Sequence, residues 1–218
     1  MASASDAAAA LTHSNSRAVS GCLVHTQCVA LDLTRAFPPR LISAAADAAE
    51  GLGDHALQAT KQLINETPRK HWGDLVLDGD ILEIPARHYF PPVSEAAYPA
   101  AESVRQAWLT RSNDGYIRHR SLSALISKPA RWHVPFVVQL CGEYVVEICV
   151  DVADYARLAL PKDRYMINAY ASFWRSNPQF IELTRARATS YWAEYGRSYR
   201  LADWPAMVAL NQIEALIA

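Results

Sequence analysis

Glycine is scarce in this sequence, at 8 of 218 residues, and cysteine is scarcer, at 4. So few glycines argue against a turn-rich β-sandwich, because many tight turns need glycine. Four cysteines without the spacing of a disulfide framework indicate a reducing compartment, so we predict a cytoplasmic protein. Cys22-x-x-His25-x-x-Cys28 groups three metal-binding side chains, but no second cluster completes a zinc site, and apolar packing is the preferred interpretation.

Long apolar runs and an excess of one charge are also missing. No stretch reaches the roughly 18 to 20 apolar residues that span a bilayer. The chain has 21 basic and 22 acidic residues, for a formal net charge of −1. This balance gives no general attraction to nucleic acid or anionic lipid, so we expect neither a nucleic-acid partner nor a membrane. Hydrophobic residues make up 51% of the chain, as in a packed domain.

Catalytic and cofactor motifs are missing as well. The sequence has no Gly-x-Ser-x-Gly elbow and no glycine-rich phosphate loop. A four-helix dimetal site needs a histidine three residues after a glutamate, and neither Glu143 nor Glu147 has one. We therefore predict no cofactor and no metal, and whether the protein is an enzyme stays open, with the weight against it.

The apolar periodicity predicts a mainly α-helical fold, either a helical bundle or an array of helical hairpins. Asp78-Gly79 separates two short apolar runs and predicts a small β-hairpin near residues 74–85, because this dipeptide suits a type I′ turn. Asn177 and Asp203 are predicted helix caps, and either Asn113 or Asp114 is predicted to cap the helix at about residues 114–127. Helices are predicted at about residues 95–111, 114–127, 134–159, 161–174 and 178–195, with a last one after Asp203.

Three segments follow from this pattern. Residues 1–20 are rich in alanine and serine, and we expect a small-residue leader that is mobile. Residues 21–93 are predicted to contain the N-terminal helices and the hairpin. Residues 94–218 are predicted to form a C-terminal helical bundle, packed with the preceding segment as one unit.

One helical pair has a distinctive spacing. Asp114 and Arg118 stand four residues apart at the start of a predicted helix, followed by Leu122, Ala124 and Leu125. The segment, about residues 104–127, resembles the helical hairpin of HEAT-type repeats, in which the aspartate caps the second helix and the arginine lies near the turn. The resemblance implies an interaction surface. A solenoid is not implied, since that needs several stacked copies.

An otherwise apolar stretch, residues 135–151, has a polar residue at every fourth position: Gln139, Glu143, Glu147 and Asp151. On one helix these form a tilted stripe. Three interpretations are open. The stripe is a thin strip facing solvent, or an ion-pair network with a neighbouring helix, or a functional carboxylate site.

Basic partners for the stripe flank it in sequence. Arg118 and Arg120 precede it, and Arg185 and Arg187 follow it. Guanidinium groups pair bidentately with carboxylates, and we favour Arg185 as the inward-facing member of its pair. His119, between two arginines, is interpreted first as a surface or core-edge histidine and second as a site residue.

The predicted helix at 178–195 is rich in aromatic residues. Phe180, Thr184, Arg187, Tyr191 and Tyr195 fall on one face, and Trp192 lies on the adjacent face. Aromatic rings beside arginine form core or interface contacts, or they contact a ligand.

The favoured function is therefore a non-enzymatic helical interaction or scaffold module, with a protein partner or a second copy of itself. The alternative is an enzyme or small-ligand binder with a carboxylate, arginine and aromatic pocket between helices 134–159 and 178–195. Candidate residues for a ligand site or an ion-pair network are Glu143, Glu147, Arg185, His119, Arg118, Tyr191 and Trp192.

Overall fold

The computed structural model describes residues 34–50, 74–87 and 99–218, and in these ranges the fold is mainly α-helical, as predicted. The only sheet among them has two short strands. The strands are β1 (Leu75–Leu77) and β2 (Asp80–Leu82). The helices are α1 (Ile42–Glu50), α2 (Pro99–Leu109), α3 (Gly115–Ser127), α4 (Val134–Leu140), α5 (Val146–Leu158), α6 (Arg164–Ser176), α7 (Pro178–Tyr195) and α8 (Pro205–Ile217).

Two aspartate side chains cap the N-termini of helices. The Asp114 carboxylate accepts hydrogen bonds from the backbone N–H groups of Tyr116 and Ile117, so it caps α3 as predicted. Asp163 caps α6 by accepting from Met166 N–H at 3.0 Å. Asp203 was predicted to cap the last helix, and this is wrong. Its carboxylate pairs with Arg200, and α8 begins two residues later at Pro205.

The hairpin has the predicted turn. Asp78 and Gly79 both have positive φ, at 53° and 94°, which is the signature of a type I′ turn. Leu75 pairs with Leu82 across the two strands. The turn is held against the helical part of the fold because Arg131 donates to the Asp78 carboxylate.

Asn177 fixes the other side of the hairpin. Its side-chain oxygen accepts from Val76 N–H at 2.7 Å, and its amide nitrogen donates to Val76 C=O at 2.8 Å. The same nitrogen donates to Phe173 C=O, the carbonyl of the last turn of α6. Asn177 is the N-cap residue of α7, as predicted, but its side chain makes no capping hydrogen bond, because the amide completes the free edge of β1 instead.

The predicted helix 134–159 is two helices, which corrects the sequence interpretation. α4 ends at Leu140, residues 141–145 form a turn, and α5 begins at Val146. Gly142 lies in the turn, where a continuous helix is least favoured, and its N–H bonds back to Gln139 C=O. Because the helix is interrupted here, the Glu143 side chain leaves the line of the stripe and lies inside the protein, where it is 1% exposed.

The core joins the described N-terminal residues to the helices. Phe37 packs against Trp108, Trp132 and Phe136, with ring centroids 5.4 to 5.6 Å apart. α1 contacts α2, and β1 contacts α6. α8 lies along α5, in the most extensive helix contact described. The buried apolar side chains of these elements belong to one hydrophobic core.

Several sequence predictions fall on residues that the structure does not describe. The 1–20 leader and the Cys22–His25–Cys28 group lie outside the described ranges. Within those ranges, no helix has the length and apolar character needed to cross a membrane. No three His, Cys, Asp or Glu side chains of the described residues lie close enough to hold a metal ion.

We expect Asn177→Ala to destabilise the fold by about 2 to 4 kcal/mol, because it leaves the part-buried N–H and C=O of Val76 without partners. Urea denaturation measures this change. Asn113→Ala is the control, since that side chain is exposed. Equal stability of the two variants would contradict the role of Asn177.

Candidate functional site

Glu143 lies at the centre of a buried ion cluster with three arginines. Arg87 holds both carboxylate oxygens through its two terminal nitrogens. Arg111 Nη2 lies 3.0 Å from Oε1, and Arg118 Nε lies 3.2 Å from Oε2. The Arg118 contact is an ion pair without hydrogen-bond alignment. Arg111 and Arg118 are fully buried, whereas the Arg87 side chain is 27% exposed.

Two of the arginines, Arg111 and Arg118, also donate hydrogen bonds to backbone carbonyl groups. Arg111 donates to the carbonyls of Pro85, Ala86 and Thr110 and so clamps the chain just after the hairpin. Arg118 donates to Ser112 and Asn113 C=O, across the turn between α2 and α3. Three guanidinium groups outnumber one carboxylate, and these carbonyl oxygens offset part of the excess positive charge.

The charges of the cluster shift its pKa values in opposing ways. Burial alone raises the pKa of Glu143, but the arginine charges, with Arg111 first, outweigh burial and hold this pKa below its usual value. Burial lowers the pKa of Arg111 to about 9 against the opposing charge of Glu143. Glu143 is therefore an ionised carboxylate near neutral pH, already occupied by partners on both oxygens.

The four stripe positions have four different environments. Glu143 belongs to the ion cluster. Glu147 is exposed on α5, and Asp151 is half-exposed and contacts His119 Nε2 at 2.8 Å. Gln139 is fully buried, and neither atom of its amide has a hydrogen-bond partner in the described part of the chain. The ion-pair interpretation of the stripe thus fits Glu143, and the solvent-facing interpretation fits Glu147 and Asp151.

Arg185 does not pair with the stripe, in contrast to the prediction. Its guanidinium contacts Glu214 at 2.6 Å and the side-chain oxygen of Asn211 at 3.0 Å, both on α8. Trp174 Nε1 donates to the same Glu214 carboxylate. Arg185 on α7 therefore binds α8 through Glu214 and Asn211. Because Trp174 of α6 donates to the same Glu214 carboxylate, this contact joins all three helices.

A line of tyrosines begins at the ion cluster and reaches the surface. The Arg118 guanidinium lies 5.5 Å from the ring centroid of Tyr144, a cation–π distance. Tyr144 contacts Tyr191 at 5.9 Å between centroids, and Tyr191 stacks on Tyr195 at 6.3 Å. Tyr144 is 47% exposed and Tyr195 63% exposed. We name Tyr144, Tyr191 and Tyr195 the tyrosine face.

The tyrosine face continues the buried face of α7. Phe180, Thr184 and Ala188 are buried at successive turns of the helix. Tyr191 and Tyr195 follow on the same helical face, since they are 11 and 15 residues after Phe180. No residue of α7 after Ala188 is fully buried. The core therefore covers the first half of this face and leaves the second half open.

Trp192 has a structural contact on the neighbouring face. Its Nε1 donates to Tyr199 C=O at 3.0 Å. The turn that follows α7 is tight: a Cβ atom on Gly196 would lie 2.5 Å from the Trp204 ring and 3.1 Å from that of Trp192. Only glycine fits there. Trp192 thus fixes the end of α7, which sets the position of Tyr195.

A partly buried serine and a buried histidine form a pair that was not found from the sequence. Ser103 Oγ lies 3.0 Å from His133 Nε2, and Ala130 N–H donates to His133 Nδ1 at 3.2 Å. Because Nδ1 is an acceptor, the neutral ring has its proton on Nε2 and donates to the serine. A serine nucleophile needs the opposite arrangement. The pair therefore holds α2 against the segment before α4 and is not set up for catalysis.

No family model matches the chain, and neither a curated protein nor a solved structure matches it significantly. The helical hairpin of α2 and α3 has the predicted capping aspartate and an arginine at its turn. Its kinship with HEAT-type repeats stays a prediction.

We expect Glu143→Gln to lower the free energy of unfolding by roughly 3 to 5 kcal/mol at pH 7, because it removes the carboxylate charge that offsets the buried arginines. The matched control is Glu147→Gln, four residues along and exposed, with an expected change below about 0.5 kcal/mol. Denaturant titration of both variants makes the comparison, and a small effect at Glu143 would show that the cluster is not a major stabilising element.

The buried histidine gives a pH dependence with a defined sign. Burial lowers the pKa of His133 to about 4, so between about pH 6.5 and 4 the unfolded chain binds a proton that the folded chain does not. The contribution of His133 to stability is complete above this range and falls as the pH falls. From pH 7 to 4.5 we expect a loss of about 2 to 3 kcal/mol.

His133→Asn removes this dependence while keeping an acceptor for Ala130 N–H. Urea denaturation at several pH values measures the slope, which is expected to be smaller for the variant. An NMR titration of the His133 ring provides the direct check. A ring that gains its proton near pH 6.5 in the folded protein would contradict the assignment.

Proposed function

We propose that this protein is a non-enzymatic helical interaction module that binds another protein chain through the tyrosine face. The observation that carries the proposal is the open second half of the α7 face, where Tyr191 and Tyr195 continue a line of buried residues. Tyrosine suits a reversible interface, because its ring provides apolar contact and its hydroxyl remains compatible with water. A cytoplasmic location is part of the proposal.

The ion cluster supports this function by fixing the first ring of the face. Arg118 is held by Glu143 and by two carbonyl groups, and Tyr144 lies over the same guanidinium. Val145 is packed near Gly115, where a Cβ atom would lie 3.3 Å from its side chain. A ring that is held in advance loses less conformational entropy when a partner binds.

The alternative, a ligand pocket between the helices, has less support. It needs Glu143 and Arg185 to have free hydrogen-bonding capacity. Glu143 has arginine contacts on both oxygens, and Arg185 is engaged with Glu214 and Asn211. Tyr191 packs against Tyr144. The residues predicted for a shared pocket are used in separate structural contacts.

A protein partner fits the tyrosine face better than nucleic acid does. Glu194, beside Tyr195, is exposed, and so is Glu147, three residues after Tyr144. Carboxylates next to the rings would repel a phosphate backbone. The HEAT-type resemblance of the α2–α3 hairpin also favours a protein partner, because helical repeats of that type are binding scaffolds.

A displayed library of helical peptides tests the proposal. Peptides selected on the full chain are expected to lose at least tenfold in affinity for a Tyr191→Ser/Tyr195→Ser variant. Tyr116→Ser is the control, since Tyr116 is 84% exposed and lies at the start of α3. Peptides that bind the tyrosine-face variant as well as the wild type would overturn the proposal.

A further inference from the structure

We propose that Arg118 binds a chloride ion, or another monatomic anion of similar size, in the space beside Gly115. The site belongs to the ion cluster and does not depend on a partner at the tyrosine face, so it goes beyond the proposed function. Arg118 has a buried donor without an acceptor, shares its counter-charge with two other arginines, and borders a space of the size of a methyl group.

The unused donor is Arg118 Nη2. This atom is buried and has no hydrogen-bond partner in the part of the chain that the structure describes. Nη1 of the same group donates to the carbonyl oxygens of Ser112 and Asn113, and the side chain as a whole is 0% exposed. A buried N–H without an acceptor costs free energy, and more so when it belongs to a charged group. An acceptor beside Nη2 would remove this cost.

The counter-charge of Arg118 is shared. Glu143 is the only carboxylate of the described residues that contacts Arg118, and Arg87 already donates to both of its oxygens. Arg118 Nε lies 3.2 Å from that carboxylate without hydrogen-bond alignment. Because a guanidinium group stays protonated in proteins, the buried charge of Arg118 is only partly offset. A water molecule would give Nη2 an acceptor but no charge, whereas an anion gives both.

The space next to Nη2 has the size of a methyl group. Gly115 has no side chain, and a Cβ atom there would lie 3.7 Å from Arg118 Nη2 and 3.3 Å from Val145 Cγ2. Apart from neighbouring backbone, no other atom of the described residues lies within 4 Å of that position. A chloride ion is about as large as a methyl group and fits there. Phosphate, sulfate and carboxylate groups have several heavy atoms and do not.

The surroundings allow a small ion to enter and limit its affinity. Gly115 is half-buried and Tyr144, whose ring lies against the Arg118 guanidinium, is 47% exposed, so the space is close to the surface. Gly115 is also the first residue of α3, where the helix dipole favours an anion. The exposed Asp114 carboxylate is an opposing charge, although it already accepts from two backbone N–H groups. We therefore expect binding in the millimolar range.

Chlorine-35 NMR of the full chain tests the inference, because chloride that exchanges with a protein site gives a broadened resonance. The wild type is expected to broaden the line in a saturable way. Arg118→Met removes the donor, and Gly115→Ala fills the space without changing any charge. Each is expected to weaken chloride binding at least about tenfold, the effect of losing one hydrogen bond to a charged group.

Arg120→Met is the matched control, since it removes an exposed arginine from the same helix and leaves the space intact. Its chloride affinity is expected to equal that of the wild type. Circular dichroism and thermal unfolding confirm that each variant is folded. Unchanged binding by folded Gly115→Ala would overturn the location. Displacement of chloride by phosphate at constant ionic strength would overturn the methyl-sized site.

Bromide gives the position of the ion, because it resembles chloride and scatters X-rays anomalously. Crystals of the wild type soaked in bromide are expected to show an anomalous peak beside Gly115, within hydrogen-bonding distance of Arg118 Nη2. Peaks at exposed arginines alone would mean an adventitious ion only, and that result, like the absence of any peak, would refute the site.

Discussion

The ionised carboxylate of Glu143 is the constraint on which the rest of the structure depends. Its partners come from three places: the chain after the hairpin, the end of α2 and the first turns of α3. A buried charge is tolerated only when its partners are all in place, so these segments must assemble together. The break between α4 and α5 follows from the same requirement, because Glu143 reaches the arginines from a turn.

The cluster also connects the interior to the surface. Arg118 contacts Glu143 within the protein and the Tyr144 ring next to it, and Tyr144 begins the tyrosine face. The end of α7 is fixed separately by Trp192 and by the close approach at Gly196. The face is thus held at both ends, by Arg118 beside Tyr144 and by the turn after α7.

Much of the fold could be predicted from local sequence signals. The Asp78-Gly79 turn and the Asp114 cap depend on neighbouring residues only, and both predictions are confirmed. Asn177 looks like a cap in sequence, and its use on the β1 edge depends on a contact 101 residues away. The helix break at residues 141–145 has the same origin: Gly142 permits it, but distant arginines require it.

The candidate site was less predictable. Glu143 and Arg118 were both singled out from the acidic stripe and the flanking basic residues. Arg87 and Arg111 were missed, because neither stands in a motif and their proximity to Glu143 is a product of the tertiary fold. Arg185 was assigned to the wrong acid, since periodicity gives the face of a helix without the identity of its neighbour.

The amide of Asn177 has a consequence beyond stability. A strand edge with free N–H and C=O groups is a template on which another chain can add a strand. One side chain occupies both groups of Val76 at the outer edge of β1. This edge of the sheet is therefore closed by a single residue, which disfavours the addition of another strand there.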